Sequence, residues 1–142
     1  MSATRKTAVL AAGALLALCA AAPARAQGPS GDGGAWVAPE RAAQRANPVP
    51  GTDDAIKKGK FVFQANCETC HGKKGHGDGQ QAGSLSKHPA DLTSEKVQSQ
   101  SDGALFWKIS EGRGDMPTTQ FKLRDQERWQ VIDYIRSLAA KP

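Results

Sequence analysis

The chain of 142 residues has little of what several protein classes require. Only one long apolar stretch occurs, from Ala8 to Ala22, and its length of about 15 residues is short of the ~20 that a spanning helix needs. No segment alternates between apolar and polar residues for long enough to predict a strand. The basic residues form no arginine-rich stripe, so the sequence gives no indication of nucleic-acid binding.

Aromatic side chains are also few, at 6% of the chain. A domain of roughly 90 residues with so few large side chains builds a thin hydrophobic core. Such a domain would gain stability from a large apolar group inserted into it.

The first 26 residues have the order of features that is typical of a secretory signal peptide. Arg5 and Lys6 form a basic start, the apolar stretch follows, and Ala24 to Ala26 supply a small-residue cleavage site. We predict cleavage after Ala26 and a periplasmic or otherwise extracytoplasmic protein that does not span the membrane. A retained anchor and a lipoprotein acylated at Cys19 are the alternatives.

Loss of this signal peptide would remove much of the positive charge. The whole chain has 19 basic and 14 acidic residues. Arg5, Lys6 and Arg25 would leave with the signal, so the 19 basic residues fall by three, to 16, against the same 14 acidic ones. The high pI is therefore partly a property of the signal.

Residues 27–51 are rich in Gly, Pro and Ala and show no hydrophobic period. This composition predicts a flexible leader, in which Trp36 is an isolated apolar residue rather than a docking anchor. Residues 52–142 are then predicted to form one domain.

Helical patterns dominate this domain. Thr52 is a predicted N-cap for a helix that runs to about Asn66, with Ile56, Gly59 and Phe63 on one face. A short turn of helix is predicted over 94–97, a helix over 102–110, and a last helix over 125–139. We therefore predict an all-α, loop-rich domain with a helix at each end.

Cys67, Cys70 and His71 have the spacing of covalent haem attachment, Cys-x-x-Cys-His. Each thiol can add to one vinyl group, because two intervening residues let one turn of chain span neighbouring pyrroles. The next residue, His71, is then placed to ligate the iron. A disulfide would need no histidine, a thioredoxin-type pair would need a βαβ context, and a zinc site commonly has a second cysteine pair. We predict one covalently bound haem c.

A second axial ligand is expected on the other face of the iron. Met116 is the one methionine downstream of the predicted signal, and it lies between a Gly-rich stretch and Pro117. A thioether ligand raises the reduction potential, and Met116 is the predicted ligand. His76 and His88 are alternatives, which we interpret as solvent-exposed loop histidines.

Over about 53–139 the chain resembles the class I cytochromes c, in particular small bacterial monohaem members. The Cys-x-x-Cys-His motif follows a helix with Gly59 and Phe63, the stretch 112–117 is similar to their methionine loop, and the last helix carries Val131 and Tyr134. The resemblance implies the cytochrome c fold, in which the first and last helices cross at these four residues. Short middle helices and loops would wrap round one haem.

One stretch departs from the family pattern. Family members often have Gly-Pro-x-Leu after the haem motif, and the proline carbonyl accepts a hydrogen bond from the axial histidine. The matching place, 82–85, reads Ala-Gly-Ser-Leu. Pro89 is a candidate to support His71 in its place, and the identity of the acceptor stays open.

If His71 and Met116 fill both axial positions, no coordination site is open to a substrate. We therefore expect a monomeric one-electron carrier of a respiratory chain, not an enzyme, that meets a protein donor and acceptor transiently. The alternatives are a dedicated cytochrome subunit of a periplasmic dehydrogenase or oxidase, a haem peroxidase and a haem-based ligand sensor. Basic loop residues could steer an acidic partner or simply be solvated: Lys73, Lys74, Lys87 and Arg113.

Overall fold

The computed structural model describes residues 35–49 and 51–139. The predicted signal peptide and residues 27–34 of the predicted leader lie outside the described residues. The helices are α1 (Glu40–Ala43), α2 (Asp53–Asn66), α3 (Glu68–His71), α4 (Glu95–Gln98), α5 (Asp102–Glu111) and α6 (Asp125–Ser137), with a 3-10 turn at Ala82–Ser84. No β-strand occurs within 35–49 and 51–139, and the all-α prediction is confirmed. None of the helices described is long and apolar enough to cross a membrane.

Helices α2 and α5 begin where their capping residues predict. The Thr52 hydroxyl accepts a hydrogen bond from the Ala55 backbone N–H (3.2 Å), and α2 follows it. The Ser101 hydroxyl does the same for Ala104 (3.2 Å) at the start of α5. These bonds satisfy amide groups that the first turn of a helix otherwise leaves without partners.

The core forms where α2 crosses α6. A Cβ on Gly59 would overlap the backbone carbonyl of Gln130, so the two backbones are in direct contact. One turn further along α2, the Phe63 ring packs against the Tyr134 ring, with 5.2 Å between centroids. The contact between these two helices that the family resemblance implies is confirmed, with Val131 fully buried beside it.

Residues 35–49, which we call the N-terminal segment, pack against α5 and α6. The Ser101 hydroxyl donates to the Ala43 carbonyl (2.7 Å), and a Cβ on Gly103 would overlap the Ala42 carbonyl. The Asn47 amide donates to Asp133 of α6 (2.8 Å). The prediction of a flexible leader therefore does not hold for these residues.

Aromatic contacts hold the same segment. The Trp36 ring lies 6.3 Å from the Trp107 ring, and the Arg45 guanidinium lies 4.5 Å from the centroid of Phe106. Trp36 is therefore not the isolated residue that the composition suggests. Trp36 and Trp107 are far apart in the chain, so their contact leaves no helical or strand periodicity in the sequence.

Candidate functional site

The three residues of the haem motif lie on one turn of chain. Cys67 ends α2, and its carbonyl accepts hydrogen bonds from the backbone N–H groups of Cys70 (3.2 Å) and His71 (2.9 Å). Both cysteines are free thiols. This arrangement presents two thiols and one imidazole from five consecutive residues.

The two thiols have different surroundings. Burial, and secondarily the nearby Cys70, raises the pKa of Cys67 to about 12, against a smaller opposing effect of Lys122. The Cys70 sulfur lies 3.8 Å from Oε1 of Gln81. Cys67 is therefore a protonated thiol at neutral pH in this fold.

The imidazole of His71 is held by one backbone hydrogen bond. Its Nδ1 lies 3.1 Å from the Ala90 carbonyl oxygen, so Nδ1–H is the donor and Nε2 keeps a free lone pair. Burial lowers the pKa of His71, and the bond to Ala90 opposes this only in part. A neutral imidazole with one nitrogen hydrogen-bonded is the form that ligates metals.

The acceptor is Ala90 and not Pro89, the candidate from the sequence. The Pro89 carbonyl instead lies 3.0 Å from Nδ1 of His88. A main-chain carbonyl is present at every residue, and the sequence pattern alone does not distinguish Pro89 from its neighbour.

The Gly-rich loop after the motif positions the Ala90 carbonyl. Gly75 accepts a hydrogen bond from the Leu92 N–H (2.6 Å), and the His71 carbonyl accepts one from the Gly77 N–H (2.8 Å). Gly77 has a φ of +79°, and a Cβ there would overlap the Pro89 carbonyl. The loop therefore brings residues 89–92 directly beneath the haem motif.

Met116 lies in the loop between α5 and α6. Its backbone exchanges two hydrogen bonds with Arg113, at 3.1 Å and 2.9 Å, which close a tight turn. The Thr119 hydroxyl anchors the end of the loop on the Ile109 carbonyl of α5 (2.7 Å). Met116 and Cys67 are both partly buried, and both pack against the same hydrophobic core cluster.

The other two histidines lie in exposed loops. Nδ1 of His76 is 3.5 Å from a carboxylate oxygen of Asp91 and 3.4 Å from the Thr93 hydroxyl. His88 contacts the carbonyl of its own neighbour.

The donor set fits a covalently attached haem. It consists of two free thiols on one turn, an imidazole already fixed through its second nitrogen, and a thioether against the same core. Within the described ranges, no group of three or more His, Cys, Asp or Glu residues is arranged to hold a bare metal ion. The alternative of a zinc site therefore has no support from the described residues.

A helical fold in which α2 crosses α6, with two thiols and an imidazole on one turn of chain, fits the class of c-type haem proteins. The family model described as "Cytochrome c" matches residues 56–139, more than half of the chain. The chain therefore belongs to the cytochrome c family, and haem-based electron transfer with covalently bound haem c follows from that membership.

Solved structures show the same fold. A chain of the reducing HAO-like protein complex Kustc0457/Kustc0458 of Kuenenia stuttgartiensis is 29% identical, with a TM-score of 0.61 over 66% of this chain and 47% of that one. Cytochrome CL of Methylophaga aminisulfidivorans is 26% identical, with a TM-score of 0.51 over 66% and 57%. The c-type cytochrome KustC0563 is 23% identical, with a TM-score of 0.51 over 58% of this chain and 98% of that one. The chain thus spans about half the length of the first two.

Proposed function

We propose that the protein is a one-electron carrier whose single haem c is attached to Cys67 and Cys70 and ligated by His71 and Met116. One observation carries this assignment. The Ala90 carbonyl holds Nδ1 of His71, which leaves Nε2 as the only ring nitrogen available to a metal. Met116 supplies a thioether from a loop that packs on the same core as the attachment site.

The residues of the chain set the properties of the redox centre. When bound, haem c supplies a reversible Fe(III)/Fe(II) couple. Partial burial lowers the pKa of His71, which favours the neutral imidazole, and the Ala90 carbonyl fixes its orientation. The soft thioether of Met116 favours the reduced state and raises the potential. Two protein ligands leave no position for a substrate, which supports a carrier and not an enzyme.

The location and partners follow from the same proposal. Removal of residues 1–26 as a signal peptide would place the protein in the periplasm or another extracytoplasmic space, where it would act in a respiratory chain. It would work as a monomer, with brief contacts to a protein donor and a protein acceptor. Lys73, Lys74 and Lys87 are exposed in the loops beside the site and can contribute to these contacts.

A second candidate is a dedicated cytochrome subunit of a periplasmic dehydrogenase or oxidase. The observation in its favour is the similarity to a chain that belongs to a protein complex in Kuenenia stuttgartiensis. Purification of the native protein without crosslinking distinguishes the two, because only a subunit would co-purify with a stable partner.

Optical spectra of the holoprotein test the ligand assignment. We expect a weak band at about 695 nm in the oxidised form and no spectral change when CO is added to the reduced form. Met116→Leu should abolish the band, lower the potential and allow rapid CO binding. The control variants His76→Gln and His88→Gln should behave as wild type.

A wild-type protein without the band that binds CO rapidly would contradict the assignment of Met116. Peroxide turnover by that protein would then support the peroxidase alternative. Loss of the band in His88→Gln would identify a different ligand.

A further inference from the structure

The residue before Met116 connects two loops that are distant in sequence. Oδ2 of Asp115 accepts a hydrogen bond from the Ser86 backbone N–H (2.7 Å) and a second one from the Ser86 hydroxyl. The carboxylate of Asp115 is therefore hydrogen-bonded to a residue of a different loop.

This arrangement differs from that of an ordinary surface aspartate. Asp91 is also exposed, but its partner Thr93 is only two residues away, so those hydrogen bonds stabilise a local turn. Asp115 and Ser86 are 29 residues apart. A bond of this kind stabilises the relative position of two loops and not the conformation of one.

The loop that Asp115 contacts also contains Ala90, the residue that holds the other proposed ligand, His71. Ser86 is four residues before Ala90, whose carbonyl holds Nδ1 of His71. The methionine loop is anchored at its far end on α5 through Thr119. Asp115 therefore ties the turn that carries Met116 to the segment that orients His71.

We propose that Asp115 is a positioning residue, which keeps the thioether of Met116 on the haem iron by holding the methionine loop against Ser86. This inference rests on the proposed His71 and Met116 ligation. Asp115 itself would not touch the iron. Its effect is on the fraction of molecules in which the loop is open.

An external ligand measures that fraction. Imidazole binds the ferric iron only when the methionine has left, so its apparent affinity increases in proportion to the open population. Loss of these exposed hydrogen bonds should raise that population roughly three- to tenfold. Asp115→Ala should therefore bind imidazole roughly three- to tenfold more tightly than wild type, with a weaker band at about 695 nm.

The full-length holoprotein is titrated with imidazole as wild type, Asp115→Ala, Asp115→Asn and Ser86→Ala. Asp115→Asn and Ser86→Ala each keep part of the contact and should show intermediate affinities. Ser86→Ala in the Asp115→Ala background should add nothing, because the partner is already absent. Asp54→Asn is the matched control: Asp54 is also exposed, and it pairs with Lys58 on α2.

Amide hydrogen exchange of residues 112–118 gives a second readout, which should be faster in Asp115→Ala than in wild type and unchanged in the Asp54→Asn control. Wild-type imidazole affinity and wild-type exchange in Asp115→Ala, with the band intact in both proteins, would overturn the positioning role and leave the ligand assignment standing. Additive effects of the two substitutions would also overturn it. A wild-type protein without the band would overturn the ligand assignment and the positioning role together.

Discussion

Asp133 lies in α6 where the N-terminal segment contacts that helix. Its Oδ1 accepts the Asn47 amide, whereas Oδ2 is buried without a hydrogen-bond partner among the described residues. Burial raises the pKa of Asp133, and Asp102 raises it further, although the bond from Asn47 opposes both effects. The Arg136 guanidinium forms its ion pair with Asp102 (2.7 Å) and not with Asp133. An ionised Asp133 is therefore unfavourable in the folded protein.

Asp133→Asn should be more stable than wild type at pH 7. A carboxyl group whose pKa is higher in the folded state favours folding below its unfolded pKa, and this contribution is lost as the pH rises through the folded pKa. The substitution removes that loss and keeps an oxygen that can accept from Asn47. Urea unfolding at pH 4 and pH 7 measures the effect, with Asp54→Asn as the control for an exposed carboxylate.

The expected result is a smaller fall in the free energy of unfolding between pH 4 and pH 7 for Asp133→Asn than for wild type. If the variant were instead less stable at pH 7 and equal at pH 4, the ionised carboxylate would be stabilising. That result would contradict the conclusion that folding raises the pKa of Asp133.

Helices α2 and α6 cross closely because Gly59 has no side chain. The overlap that a Cβ would make is with the Gln130 carbonyl and the adjoining backbone, which belong to the interior of a helix and have little freedom to move. Phe63, on the next turn of α2, is 0% exposed and contacts Tyr134. Separation of the two helices at Gly59 would therefore also loosen the aromatic contact.

The steric overlap in Gly59→Ala should destabilise the protein by about 3 kcal/mol, the upper part of the range for overpacked cores. Helix propensity acts in the opposite direction, because alanine is favoured over glycine by about 1 kcal/mol within a helix. The steric effect is the larger of the two, so the net change should be a loss of stability in chemical unfolding of the holoprotein.

Gly83→Ala is the matched control, because nothing lies within 4 Å of a Cβ at that position and its φ is not positive. We expect a change within about 0.5 kcal/mol there, as for most surface substitutions. Equal stabilities of Gly59→Ala and wild type would mean that the helices can separate without cost.

The folded domain is larger than the part that the family model covers. The N-terminal segment contacts α5 through Gly103 and Trp107, and α6 through Asp133. None of these contacts involves the haem motif or the methionine loop. The segment should therefore affect the stability of the whole domain without changing the redox centre.

Gly103→Ala should detach the N-terminal segment from α5. A Cβ at position 103 would overlap the Ala42 carbonyl and approach the carbonyls of Ala43 (2.9 Å) and Arg45 (2.7 Å). We expect faster amide hydrogen exchange over 35–49 and greater quenching of tryptophan fluorescence by acrylamide, because Trp36 would lose its packing on Trp107. The optical spectrum of the haem should not change.

Trp36→Ala serves as a second variant, which removes the aromatic contact and leaves the backbone contacts at Gly103. It should increase exchange near residue 36 more than near residue 43. Unchanged protection of 35–49 in Gly103→Ala would contradict the packing of this segment on α5. A changed haem spectrum would show that the segment does influence the site.

Local patterns along the chain were sufficient to predict the main helices and the motif that places the protein in its family. Thr52 and Ser101 are caps, and Phe63 follows Gly59 at helical spacing, because these features depend on residues within a turn or two of each other. The spacing of Cys67, Cys70 and His71 likewise reflects the chemistry of one turn of chain. The sequence also indicated Met116 as a ligand, and that remains a prediction.

Only the tertiary structure decided which groups support those residues. The Ala90 carbonyl, the bond from Ser86 to Asp115 and the packing of Trp36 on Trp107 all join parts of the chain that are far apart in sequence. A backbone carbonyl has no signature in the sequence, and a serine or an aspartate in a loop has many possible partners. Their pairing depends on how the loops meet after α2 and α6 have packed, which is a property of the whole fold and not of any local pattern.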